Sequence, residues 1–298
     1  MNELELNETQ YFCSYLKRSF FKVNTFTSFE NKIDVLVGIL LMASKDYLEF
    51  KDKKNTQVLY KDIWDYIYFL KEDVMFENYN FTLFETLKED DFNNIITFKY
   101  ELKFNEEKPV IDYLGLAYQY ILNEYRKGTL QMQCSYYTSI DTLNYIISEY
   151  FECCDIYGIY DPFCGAGRQL FNDAGYYIEG SDLDKIAVDI ANLNHFIINP
   201  DNTLRRFQVK DFYNLTDKKD YILTNIPFDK SIKKEAEIVN KLAEMTNIRC
   251  VAIIPAGHYE RMVDKNLISK DWKLIDKLKV EEFEPFTKIV TEVILIDK

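Results

Sequence analysis

The stretch Ile156-Tyr157-Gly158-Ile159-Tyr160-Asp161-Pro162-Phe163-Cys164-Gly165-Ala166-Gly167-Arg168 decides the fold of this 298-residue chain. A short apolar run, IYGIY, passes into a glycine turn that opens a helical pattern. Glycine adopts backbone conformations closed to other residues. With no Cβ, it also lets a ligand approach the main chain closely where a helix begins. The pair Gly165-x-Gly167 is weak evidence alone, because such pairs also serve turns only. It does exclude two nucleotide fingerprints. The third glycine of a dinucleotide motif falls at Leu170, and no Gly-Lys-Ser/Thr follows for a Walker loop.

Downstream, short apolar runs alternate with amphipathic stretches: YYIEGSD (176–182), RRFQV (205–209), YILTN (221–225), CVAIIP (250–255) and VTEVILI (290–296). This alternation predicts βαβ units in a doubly wound, mostly parallel α/β sheet, whose ligands sit beyond the carboxyl ends of the strands. Chemistry-bearing residues follow each predicted strand. Asp182 lies about 20 residues beyond the glycine turn, where a carboxylate can accept both hydroxyls of a ribose. It could equally cap a helix beginning near Lys185. Lys210-Asp211-Phe212 offers an acceptor and an apolar wall, and the fourth strand ends in Asn225-Ile226-Pro227-Phe228.

Upstream the character differs. From about residue 8 to residue 127, apolar residues recur at spacings of three and four, as in Ile33, Leu36, Val37 and Leu40, or Ile63, Tyr66, Ile67 and Leu70. Glycine and proline are scarce there. Arg126-Lys127-Gly128 makes a helix stop, so the expected division is a helical amino-terminal domain, 1–130, followed by an α/β domain, 131–298.

Composition narrows the function. With 36 basic against 49 acidic side chains the formal charge is −13, and neither half is a basic arm, so simple electrostatic wrapping of nucleic acid is excluded. Any DNA contact must be local, through a run such as Lys265, Lys270, Lys273, Lys277 and Lys279, or must come from a basic partner. The same run also fits a solvated helix face. The six cysteines include no C-x-x-C pair and only two histidines occur, which argues against zinc or any other metal. No long uncharged apolar stretch or basic leader stands at the start, so a cytoplasmic protein with no membrane contact is expected.

Taken in order, D-P-x-x-G-x-G, G-x-D, D-F and N-x-P-F resemble the signatures of adenine-specific DNA methyltransferases that use S-adenosylmethionine. The resemblance is closest to the modification subunits of type I restriction-modification systems. Gln133 to Ile146 is similar to their F-Y-T-P segment, Ile254 to Arg261 to their L-P-x-G-x-x-F-R stretch, and Ile289 to Ile296 to their final strand. It covers about residues 131–298. The resemblance implies that Tyr137, Thr138, Asp161, Pro162, Gly165 and Gly167 surround the methionine part of the cofactor. It places Asp182 on the ribose, and Asp211 and Phe212 at the cofactor adenine. Asn225, Ile226, Pro227 and Phe228 would hold an adenine flipped out of DNA, with sequence choice supplied by a separate specificity subunit.

The chemistry fits those residue types. The 6-amino nitrogen of adenine is a poor nucleophile because its lone pair is delocalised into the ring. Acceptance of its two N–H bonds by the Asn225 side-chain oxygen and the Ile226 carbonyl would turn that lone pair toward a methyl donor. Two departures from the family pattern stand out: Ile226 and Ser139 each replace a proline. Ile226 keeps the carbonyl, regains an N–H, and is biased to an extended conformation by Pro227. Two other readings carry the same residues: a catalytically weakened methyltransferase-fold scaffold, and a methyltransferase for RNA or a protein glutamine.

Overall fold

The computed structural model describes Gly115, Tyr118, Thr138 and residues 140–151, 158–168, 177–198, 207–229, 231–269, 271–278 and 290–298. The chain groups into two compact units, one of Gly128–Ala191 with Arg206–Lys298, the other of Asn2–Lys127 with Asn192–Arg205. The expected helical domain, 1–130, lies outside the described residues apart from Gly115 and Tyr118, which are both helical. Tyr137 and Ser139 also lie outside them.

In chain order the elements are α1 (Ile140–Phe151), β1 (Gly158–Asp161), β2 (Tyr177–Asp182), α2 (Lys185–Ile198), β3 (Phe207–Val209), a 3-10 turn (Phe212–Asn214), β4 (Lys219–Asn225), α3 (Ile232–Met245), β5 (Thr246–Pro255), α4 (His258–Asp264), β6 (Lys273–Leu278) and β7 (Thr291–Asp297). The strands form one sheet in the order β3-β2-β1-β4-β5-β7-β6. The first five run parallel, and β7 inserts antiparallel between β5 and β6. The order reverses beside β1, with β2 and β3 on one side and β4 and β5 on the other. That is the switch point at which a doubly wound sheet opens a crevice.

Strand side chains alternate between two cores, because successive Cβ atoms point to opposite faces. Tyr221, Leu223, Val251, Ile253, Val293 and Leu295 pack with Leu143, Ile146, Ile147 and Phe151 of α1. Their neighbours Ile222, Cys250, Ala252, Ile254, Ile294 and Ile296 pack on the other face with Ala236, Val239 and Leu242 of α3 and Met262 of α4. Burial on both faces explains why these runs read as unbroken apolar stretches. At roughly 1.5–3 kcal/mol per fully buried aliphatic side chain, this covering is what holds the strand ends in place.

One strand was not visible in the sequence. The lysine run read there as a solvated helix face or a DNA contact contributes Lys273 and Lys277 to strand β6, where both are exposed and pair with Leu295 and Glu292 of β7. In KLIDKL only Leu278 is fully buried, so no apolar run marks this strand. No helix among the described residues is long and apolar enough to cross a membrane.

Candidate active site

The glycine turn after β1 is built as a platform. Gly165 and Gly167 adopt φ of 51° and 75°, the left-handed region that side chains disfavour. The Gly167 N–H donates to the Cys164 carbonyl at 2.9 Å, and the Cys164 N–H donates to the Ser181 carbonyl at 3.0 Å, pinning the turn onto β2. Such closeness requires Gly180, since a Cβ there would stand 2.5 Å from the Cys164 Cβ and 2.9 Å from the Asp161 carbonyl oxygen. Asp161, buried at the end of β1, accepts hydrogen bonds from the Thr224 hydroxyl and the Phe163 N–H. It therefore ties β1 to β4 immediately before Asn225.

Asp182 ends β2 and faces the turn. Its two oxygens accept the N–H groups of Gly165 and Asp184, each at 2.9 Å, which leaves lone pairs on both for further donors. Burial raises its carboxyl above the ordinary 3.8, although those backbone hydrogen bonds pull the other way. The helix-cap alternative belongs to a different residue. Asp184 accepts the N–H groups of Ile186 and Ala187 at 3.0 and 3.3 Å, and so caps α2 in place of Asp182. Burial also pushes the neighbouring Cys164 thiol up, so it stays protonated.

The N-I-P-F tetrapeptide leaves β4 on the same side. The Asn225 amide nitrogen donates to the Thr138 hydroxyl at 3.3 Å, a contact between residues 87 positions apart, with Thr138 itself buried. Ile226 uses the N–H that a proline would lack: it donates to the Ile253 carbonyl at 3.2 Å and continues the β4–β5 ladder by one residue. Its side chain is 2% exposed and belongs to the core that contains Phe212 and Ile254. Pro227 is exposed and Phe228 half-buried. Across the crevice, Asp211 caps the 3-10 turn by accepting the Tyr213 N–H, and buried Phe212 packs against Phe163 with ring centroids 4.6 Å apart.

These pieces line one cavity of about 880 Å³. Among the expected site residues, Thr138, Asp161, Pro162, Gly165, Asp182, Asp211, Phe212, Asn225, Ile226, Pro227 and Phe228 are on its wall. Gly167 is not, and shapes the turn from behind. Residues that motif reading passed over also line it: Arg168, Leu183, Asp184, Lys210, Tyr213, Asp229, Lys234 and Glu237. Most directly adjoin a motif, so extending each motif by a residue or two would have found them. Lys234 and Glu237 come from α3 and carry no such mark. Among the described residues, no group of His, Cys, Asp and Glu is arranged to hold a metal ion.

Comparison with known proteins bears on the fold. Residues 109–253 match the family model described as N-6 DNA Methylase. A modification subunit assigned to a type I restriction enzyme from Vibrio vulnificus YJ016 superposes with a TM-score of 0.51 at 14% identity, covering 98% of this chain and 81% of that one. A type I restriction-modification methyltransferase subunit from Streptococcus thermophilus gives 0.51 at 12% identity, covering 97% and 85%. Identities this low establish a shared fold. The comparison with curated proteins returns no match. Over residues 109–253 the chain matches the N-6 DNA Methylase family model, and its fold is similar to that of modification subunits of type I restriction-modification systems.

Proposed function

We propose that this protein is an S-adenosylmethionine-dependent methyltransferase acting on the 6-amino group of adenine in DNA, working in the cytoplasm with a separate specificity subunit. The observation that carries the reading is the convergence of Asp182, the Gly165 turn and Asn225 to Phe228 on one cavity at the switch point of the sheet.

The residues present suit the cofactor. Asp182 keeps free lone pairs for two ribose hydroxyls, and the left-handed Gly165 bares the main chain beside it. The wall also carries Asp161, Asp184, Asp211, Asp229 and Glu237 against Arg168, Lys210 and Lys234, an excess of carboxylate that favours a cationic group. S-adenosylmethionine supplies an electrophilic methyl on a sulfonium. The chain's own work is positioning. Thr138 holds the Asn225 amide nitrogen, which directs its carbonyl oxygen elsewhere to accept an N–H of the target amine, and the Ile226 carbonyl accepts the other. Removing one such preorganised contact typically costs about 10² to 10³ in rate. Flipping the base costs a few kcal/mol, and stacking on Phe228, worth about 1–3 kcal/mol, offsets much of it.

The acidic composition supports the partner part of the reading. A chain with formal charge −13 cannot neutralise many phosphates itself, so a basic specificity subunit would supply them. The test is calorimetric titration of the purified protein with S-adenosylmethionine, followed by tritiated methyl transfer to unmethylated DNA, RNA and protein in parallel. Heat of binding with label in DNA adenine is the expected result. No heat at millimolar cofactor favours the scaffold reading, and label confined to RNA or protein defeats DNA as substrate.

A further inference from the structure

Behind the N-I-P-F loop sits a carboxylate that the chemistry above does not use. Glu235, in the first turn of α3, has no accessible surface. Its Oε1 accepts the main-chain N–H of Asp229 at 2.8 Å, the residue directly after Phe228. Its Oε2 lies 2.5 Å from Nδ1 of His258. His258 opens α4 directly after Gly257, whose φ is 78°. A second carboxylate without accessible surface, Glu292 on β7, accepts the N–H groups of Gly257 and Tyr259 at 2.9 and 2.8 Å and holds that turn from the other side. The loops that follow the adjacent strands β4 and β5 are thereby joined through side chains.

We propose that Glu235 and His258 are positioning residues that fix the far end of the 226–229 loop, and with it the ring of Phe228 and the carbonyl of Ile226. The inference rests on reading that loop as the seat of the target base. The near end is held by the Ile226 N–H on Ile253, while Pro227 has no N–H to contribute. The Asp229 N–H therefore anchors the segment just past Phe228. A carboxylate removed from water is costly unless hydrogen-bonded, and Glu235 meets that condition through this loop and His258. Displacing a positioned group by about an ångström lowers rate by about 10²-fold while leaving distant binding contacts intact. Asp182, on the other side of the switch point, is hydrogen-bonded to Gly165 and Asp184, while Glu235 is bonded to Asp229 and His258.

The test uses the full-length protein and the variants Glu235→Ala, His258→Ala and His258→Asn, the last retaining an amide near the position of Nδ1. Three readouts are taken: hydrogen exchange of peptides covering residues 226–233, the Kd for S-adenosylmethionine by calorimetry, and kcat for tritiated methyl transfer to unmethylated mixed-sequence duplex DNA. The two alanine variants are expected to speed loop exchange at least about 10-fold and to lower kcat about 10- to 100-fold, with cofactor Kd unchanged within about 3-fold. His258→Asn is expected to recover most of both losses. Should Glu235→Ala fail to fold, the His258 pair decides, because that side chain is 19% exposed and not part of the core. Wild-type exchange and kcat in His258→Ala, or a cofactor affinity that falls in step with kcat, overturns the proposal. A wild-type protein that neither binds S-adenosylmethionine nor transfers methyl, with loop exchange still following the expected order, supports the anchor and overturns the methyl-transfer reading instead.

Discussion

Ile226 stands where the resembling family has proline, and its surroundings predict what restoring the proline does. Ile226→Pro removes an N–H that donates to the Ile253 carbonyl at 3.2 Å, a loss of about 0.5–1.5 kcal/mol. It also deletes part of a side chain that is 2% exposed within the core, at about 0.8 kcal/mol per methylene before any cavity forms. Against this, a proline restricts the unfolded chain and returns about 0.4–1 kcal/mol. The net expectation is a destabilisation of about 1–2 kcal/mol, or a fall in Tm of about 3–6 °C for a domain of this size. Because Asn225 already lies in an extended strand, the new ring meets no steric obstacle from the preceding residue. Urea denaturation followed by tyrosine fluorescence, at matched protein concentration, measures the difference. A proline variant as stable as the wild type, or more stable, refutes the view that Ile226 was accommodated by extending the β4–β5 ladder.

Asn225→Ala should lower methyl transfer about 10²- to 10³-fold with cofactor Kd nearly unchanged, while Asp182→Ala should mainly weaken cofactor binding; equal loss of both in either variant contradicts the division of roles. Thr138→Val removes the hydroxyl that receives the Asn225 amide nitrogen and keeps the shape of the side chain, so kcat should fall about 10-fold with little change in Tm. Cofactor affinity should weaken in acid. Burial holds the Asp182 carboxyl above its ordinary value, so the carboxylate that accepts hydroxyls is present at neutral pH and is lost as pH falls through that raised value. The stability effect of the same group has the opposite sign: its buried charge destabilises the fold at neutral pH and the penalty is relieved on protonation. A Kd that rises in wild type as pH falls through that raised value, but stays flat in Asp182→Asn, is the expected calorimetric result.

The alternation of apolar runs with amphipathic stretches was sufficient for the doubly wound sheet, because strands buried on both faces must be apolar at nearly every position, and the run at 250–255 is such a strand. The order of motifs along the chain likewise announced the cavity, since loops after parallel strands converge at one edge of a sheet. Strand β6 escaped notice because KLIDKL lies at the sheet edge, where charged residues are tolerated. The cap role that the sequence allowed for Asp182 falls to Asp184 because the backbone path, which local pattern does not show, turns the Asp184 side chain onto the first N–H groups of α2. The use of the Ile226 N–H depended on the register of β4 against β5, and the pairing of Glu235 with both Asp229 and His258 on how α3 and α4 lie against that edge. Local pattern is enough where a side chain answers to its own strand's periodicity. It gives no account of hydrogen bonds between residues brought together from 23 to 87 positions apart, such as His258 with Glu235 and Asn225 with Thr138, since only chain packing sets those distances.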